Sequence, residues 1–308
     1  MVVKSRIVYG WALFSVAIAL LLAGGLAFAT FFCVLAVLGA NEYIGLVKKK
    51  GLNPSPRIIR GMSIAFFVVA ASQMIVPHIP HAWHVNLSPF FAIEHFPILL
   101  TIGVCISFFR LLFRHEDPPA TTADIATTIL GFIYAGWLPC HLVLLRNLVP
   151  PAYPLHVNPL VQTGVAYVWV CLFIVCATDV FAYYGGKFLG KHLLYPSVSP
   201  NKTIEGAICG FVGSIFWATV VVYLSDTFLF PEKPFLGNLW QAPLMGAFVS
   251  VGSQLGDLCE SLLKRDAGVK DSGTIFPGHG GILDRGDGLI FASALSYYWI
   301  CTVVFGVL

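Results

Sequence analysis

The sequence predicts an all-α, polytopic integral membrane protein of about nine transmembrane helices, with a cytoplasmic N-terminus and its C-terminus outside. Three observations carry that reading. Only 11% of residues are charged while 57% are hydrophobic, and the mean hydropathy is +0.82, which excludes an ordinary soluble domain. Apolar stretches long enough to cross a bilayer core recur along the whole chain, each ended by Gly, Pro or charge. The basic residues then fall almost entirely on one side of the membrane that these stretches define.

The runs 8–23 and 26–46 form one long apolar segment split only at Gly24-Gly25, so they read as a kinked hairpin or one long span. The next two runs cover 59–77 and 89–109. Between them His78, His81 and His84 are spaced by three, but Pro80 and the lack of a carboxylate or cysteine favour an interfacial loop over a metal site. Trp83 there suits the aromatic belt. The fifth run, 122–148, follows the acidic pair Glu116-Asp117, with Thr121 or Thr122 available as its cap. The sixth, 161–184, carries Asp179 inside it. An ionisable group at that depth is a site candidate, or else it hydrogen-bonds a neighbouring helix. The runs 204–224, 241–259 and 287–308 complete the set.

With the N-terminus inside, the inner segments hold Lys4 and Arg6; Lys48, Lys49, Lys50, Arg57 and Arg60; Arg110 and Arg114; Lys187, Lys191 and Lys202; and Lys264, Arg265, Lys270 and Arg285. Of the 18 basic residues only Arg146 and Lys233 fall outside. The net charge of +3 is therefore a cytoplasmic bias and calls for no nucleic acid. The eight cysteines are scattered singly with no C-x-x-C pair, so they read as small core hydrophobes. The first apolar run lacks a small-residue processing site, and no targeting extension is evident. The expected location is a bacterial inner membrane.

Residues 1–120 read as plain N-terminal transmembrane helices, and 121–308 as a C-terminal catalytic transmembrane region, because polarity changes character after residue ~175. Gly185-Gly-Lys-Phe-Leu-Gly-Lys191 nearly matches a P-loop, but His192 replaces the required hydroxyl and a membrane helix precedes it, so a Walker site is rejected. Ser199-Pro-Asn-Lys-Thr-Ile-Glu205 has the form of a helix start, with Ser199 as cap, Pro200 in the first turn and Glu205 where the helix dipole favours an acid. The same helix N-terminal amides, with Lys202 and Thr203, would make a phosphate cradle.

Asp257, Asp284 and Asp287 form the sharpest constellation. Asp257 closes the eighth span, while Asp284 and Asp287 are three apart at the start of the ninth and would share a helix face. Carboxylates held together repel, and a divalent ion relieves that repulsion; Mg²⁺ prefers few carboxylates plus substrate phosphates. The plainer alternative is a set of ion pairs with Lys264, Arg265 and Arg285. With a metal present, Lys264, Arg265, Lys270 and Arg285 would neutralise phosphate charge that the ion leaves uncovered. Pro277-Gly-His-Gly-Gly281 permits a turn at close approach to a ligand, and His279 would donate to a phosphate or orient an aspartate.

At these residues the chain resembles the phosphatidate cytidylyltransferase (CDP-diacylglycerol synthase) family. The signature S-x-x-K-R-x4-K-D-x-G-x-x-x-P-x-H-G-G-x-x-D-R-x-D falls on Ser261, Lys264, Arg265, Lys270, Asp271, Gly273, Pro277, His279, Gly280, Gly281, Asp284, Arg285 and Asp287. Ser199–Gly206 resembles the family's second motif. Gly286 and Gly288 depart from the pattern, standing where a large apolar residue and a Ser are expected. The resemblance implies transfer of the cytidylyl group of CTP to phosphatidate at the membrane. It implies Mg²⁺ on Asp257, Asp284 and Asp287, with a second cation as an open alternative. Lys264, Lys270 and Arg285 would contact phosphates, and Ser199, Lys202 and Thr203 the nucleotide or lipid head group; Glu205, Arg265, Asp271 and His279 complete the implied substrate-binding set. The partners it implies are CTP, phosphatidate, membrane lipids and a second copy of the chain.

Two other classes compete. A CTP-dependent polyprenol or lipid kinase would share the charged loop but yield CDP. A transporter would show two similar halves with broken helices, whereas the polar load here sits in one third.

Overall fold

The computed structural model describes residues 15–72, 95–113, 119–148, 163–230, 234, 236–275 and 280–306. The histidine loop 78–84, Arg114, Glu116, Asp117, Lys233, Pro277 and His279 lie outside the described residues. The chain is a polytopic helical membrane protein, and among the described residues six helices are long and apolar enough to cross a bilayer. The helices are α1 (Gly25–Lys49), α2 (Pro56–Ser72), α3 (His95–Leu112), α4 (Thr122–Asn147), α5 (Thr163–Leu189), α6 (Ile204–Phe228), α7 (Gln241–Asp266) and α8 (Leu283–Val304). A helical stretch, 15–23, precedes α1 and ends where Gly24 and Gly25 both take positive φ, at the break expected from the paired glycines. One short hairpin, β1 (Leu193–Tyr195) with β2 (Ser199–Thr203), interrupts the helices.

The expected eighth span corresponds to α7, which turns large apolar side chains outward and some polar ones inward. Leu244, Phe248, Val251, Leu255 and Leu262 are exposed, while Ser250, Ser253 and Glu260 are buried. An apolar outer stripe, with Ser250, Ser253 and Glu260 set among Ala242, Met245, Val249 and glycines on the buried face, suits a membrane helix whose polar side chains serve the protein interior. That inner polarity keeps α7 out of the group of six.

Two compact units divide the chain: residues 1–147 with 266–285, and residues 148–265 with 286–308. In the first, Phe66, Phe96 and Trp137 cluster edge to face and stacked, with Trp137 packing on His141. Thr121 caps α4 in a reciprocal box with Asp124, as the threonine pair led one to expect. The Asp124 carboxylate also accepts from the Asn53 amide (2.5 Å), and Thr128 Oγ1 accepts from the Ser55 amide (2.9 Å), which fixes the turn before α2. A π-turn, Ile133–Trp137, sits inside α4 next to the close approach of Gly136 to the Ser63 backbone.

In the second unit α5 and α6 pack through glycine. A Cβ at Gly210 would meet the Thr178 carbonyl oxygen at 2.8 Å, and one at Gly206 the Ala182 carbonyl oxygen at 2.8 Å. Backbones this close gain dispersion and short polar contacts where lipid offers no hydrophobic drive. Thr178 Oγ1 donates to Ser250 Oγ (3.0 Å) and Gln254 Nε2 to the Ala207 carbonyl (3.3 Å), which joins α7 to the same pair. Overpacking this seam is expected to be costly. Gly210→Leu should lower stability by about 1–3 kcal/mol, read as a fall in the unfolding midpoint of detergent-solubilised protein, with Val212→Leu on the exposed face as the unchanged control.

Candidate active site

In the second unit three helices and the hairpin bring charge together. Asp179 on α5, Asp257 on α7 and Asp287 on α8 lie close enough for their charges to act on one another, and Lys202 on β2 acts on Asp179 and Asp287 as well. Lys202 Nζ makes an ion pair with Asp257 Oδ2. Asp287 Oδ1 accepts from the Gly288 amide at 2.8 Å. The α7–α8 contact that positions these two acids is again made by small residues. A Cβ on Gly256 would press on the Asp287 carbonyl oxygen at 2.7 Å, and one on Gly288 on Ser253 Oγ at 2.5 Å. Gly288, a departure from the signature, is thus the residue that lets α8 approach α7.

Asp179, Lys202 and Asp257 face a cavity of about 500 Å³ also lined by Tyr183, Lys187, Ser199, Asn201, Thr203 and Gln254. That size and mix of polar with apolar wall suit a small-molecule site. Asp179 and Asp257 stand at this cavity with Lys187 and Lys202, and a pair of carboxylates is a donor set that Mg²⁺ would take with water and phosphate in its other positions. Among the described residues no group of three carboxylate, thiol or imidazole side chains is placed to hold a metal ion.

The helix start at Ser199–Glu205 needs correction. Residues 199–203 are a strand paired with 193–195, the helix begins at Ile204, and its cap is Thr203, whose Oγ1 accepts from the Gly206 amide at 3.1 Å. The reason lies in Glu205. It sits in the first turn as the dipole favours, and its carboxylate accepts from the Lys191 and His192 amides (3.0 and 3.2 Å) and from His192 Nδ1 (2.6 Å). Those bonds fold 191–195 back along 199–203 and hold the latter extended, with Pro200 on a two-stranded edge where its missing donor is tolerated. The near P-loop is the end of α5, which runs to Leu189, with the two residues that follow it.

The C-terminal part of α7 adds two bases. Lys264 pairs with the buried Glu260 one turn earlier, and Arg265 Nε donates to the Val198 carbonyl in the hairpin turn at 3.1 Å. Asp257 pairs with Lys202, a residue outside the basic set Lys264, Arg265 and Arg285 that the plainer reading named.

In the first unit the glycine-rich end of the signature is built around two carboxylates. Asp284 Oδ2 accepts from the Ser272 amide, the Ser272 hydroxyl and the Gly281 amide, each at 2.8 Å. Glu42 on α1 accepts from the Ile282 amide (2.8 Å) on Oε1, and from the Leu283 amide (3.0 Å) and the Ser272 hydroxyl (2.9 Å) on Oε2. Lys50, at the end of α1, pairs with Asp266 at 2.5 Å. Lys270, Asp271 and Arg285 are exposed in this region.

The structure therefore brings Asp257 and Asp287 together with Asp179 and Lys202, and gives Asp284 a separate set of donors within its own unit. Sequence reasoning did not single out Glu42 or Glu260. The rule that flags Asp179, an ionisable group within an apolar span, applies equally to Glu42 in 26–46.

Known proteins agree with the signature. The profile of the Cytidylyltransferase family matches residues 4–303. The chain is 34% identical to a phosphatidate cytidylyltransferase of Synechocystis sp. over 93% of this chain and 92% of that protein. It is 35% identical to the chloroplastic phosphatidate cytidylyltransferase 4 of Arabidopsis thaliana over 97% of this chain and 73% of that protein. A Bacillus subtilis phosphatidate cytidylyltransferase is 38% identical over 58% of this chain and 59% of its own length. With a match along nearly its whole length, this chain belongs to the cytidylyltransferase family.

Proposed function

We propose that this membrane enzyme is a phosphatidate cytidylyltransferase, converting CTP and phosphatidate to CDP-diacylglycerol and pyrophosphate for phospholipid biosynthesis. The observation that carries the mechanism is the Asp179–Asp257–Asp287 cluster near Lys202, of which Asp179, Asp257 and Lys202 face a cavity of mixed polar and apolar wall. Such a site matches a reaction between two phosphates.

A phosphatidate phosphate oxygen attacks the α-phosphorus of CTP, the bond from that phosphorus to the bridging oxygen of the β-phosphate breaks, and pyrophosphate leaves in line. The nucleophile is already anionic, so no general base is needed, and rate comes from positioning and charge neutralisation. Asp257 and Asp287 would hold Mg²⁺, and Asp284 enters that ligand set on the family resemblance alone. When bound, the ion supplies positive charge to the phosphate oxygens. Lys202 balances the carboxylates and, with Ser199 and Thr203 on the cavity wall, meets the phosphates or head group. Lys264, Lys270 and Arg285, with His279 and Asp271, belong to the same substrate-binding set by resemblance.

The inward excess of Lys and Arg supports a nine-span topology with the site on the cytoplasmic side, in a membrane such as a bacterial inner membrane where CTP is at hand. A homodimer is the assembly that the family resemblance supports.

Purified protein given phosphatidate, Mg²⁺ and α-³²P CTP should move label into lipid and release pyrophosphate. Label left in soluble CDP would instead identify a lipid kinase. Asp257→Asn and Lys202→Met should each lower turnover by about 100-fold or more, measured in the same assay with unfolding midpoints as the control. A single cysteine placed at Lys270 in a cysteine-free background should react with an impermeant maleimide only from the cytoplasmic face, and one at Asn238 only from the opposite face.

A further inference from the structure

We infer that Glu42 is a positioning residue for the signature: from α1, it fixes both flanks of the stretch 272–283 and so sets where Asp284 stands. This rests on the cytidylyltransferase reading for its functional part. The observations are local to the first unit. Glu42 is buried, and its two oxygens take three donors from widely separated positions: the Ser272 hydroxyl at the start of the stretch, and the Ile282 and Leu283 amides at its end. Those two amides are the first donors of α8, which have no intrahelical partner. Glu42 therefore caps α8 from another helix, with its negative charge at the positive end of the dipole.

Ser272 couples Glu42 to the signature acid. Its Oγ lies 2.9 Å from Glu42 Oε2 and 2.8 Å from Asp284 Oδ2, so one hydroxyl proton serves both carboxylates. The surrounding glycines are shaped to Glu42. A Cβ at Gly273 would meet the Glu42 carboxylate at 2.5 Å, and one at Gly281 would collide with it outright. Gly39, one turn earlier on α1, has Leu283 against it at 3.0 Å from its Cβ position. The two glycines that the signature fixes at these sites thus leave room for a residue the signature does not contain.

Glu42→Gln keeps the shape but replaces one acceptor by an amide nitrogen facing a backbone N–H. In detergent, hydrogen exchange of the amides in 281–284 should become about tenfold faster or more. Turnover of CTP and phosphatidate should fall about 10–100-fold, while the KM of each substrate and the unfolding midpoint stay near wild type. Turnover within about twofold of wild type, with exchange unchanged, overturns the assignment. So does faster exchange across the whole protein with a lowered unfolding midpoint, because that is general destabilisation. If Glu42→Gln does not fold, Ser272→Ala, which removes only the shared hydroxyl, takes the same comparison and is read the same way. Wild-type protein that forms no CDP-diacylglycerol would defeat the functional reading, and the exchange result would then judge the clamp alone.

Discussion

A carboxylate inside a helical membrane protein needs a compensating cation or several donors, and the arrangement of this chain follows from how it meets that need. Two solutions are used. In the first unit Glu42 and Asp284 are surrounded by backbone amides and the Ser272 hydroxyl, groups fixed in place by the chain itself. In the second, Asp179, Asp257 and Asp287 lie near the ammonium of Lys202, which pairs with Asp257. The first meets its charge with donors of the chain. The second, under the proposed function, would accept a cation and the phosphates that accompany it.

Close backbone approach is the means by which both are reached. The acids of the second unit stand on three different helices, and they meet because α5 and α6 touch through Gly206 and Gly210, and α7 and α8 through Gly256 and Gly288. Buried hydroxyls and an amide on the inner face of α7 then join that helix to α5 and α6. The hairpin places Lys202 opposite Asp257, and Arg265 and Glu205 pin that hairpin at its turn and its base. Much of the polarity that looks excessive for a membrane helix is thereby used inside the protein, with apolar side chains turned outward.

The helical membrane class, the break at Gly24-Gly25 and the Thr121 cap are legible in the sequence because each depends on local composition or on a few adjacent residues. The start of α6 is not. Ser199 and Pro200 favour a helix start locally, but Glu205 bonds amides 13 and 14 residues earlier and imposes a hairpin. Asp257, Asp284 and Asp287 are legible as a set from their charge and position, and the structure brings Asp257 and Asp287 of that set close to one another. That Asp179 joins them depends on helix packing 78 residues before Asp257, which spacing does not encode. Glu42 is the clearest omission: its partners lie 230 to 241 residues away, and only its presence in an apolar run hints at them.

The account turns on a direct transfer: charged groups position two phosphates, and no protein nucleophile intervenes. The most direct test uses a single diastereomer of CTP bearing sulfur on the α-phosphorus, with phosphatidate as acceptor, and reads the configuration of the lipid product by phosphorus NMR. Inversion is the predicted result, as one in-line displacement requires. Retention would mean two displacements through a cytidylyl-enzyme and would contradict the mechanism derived from this site.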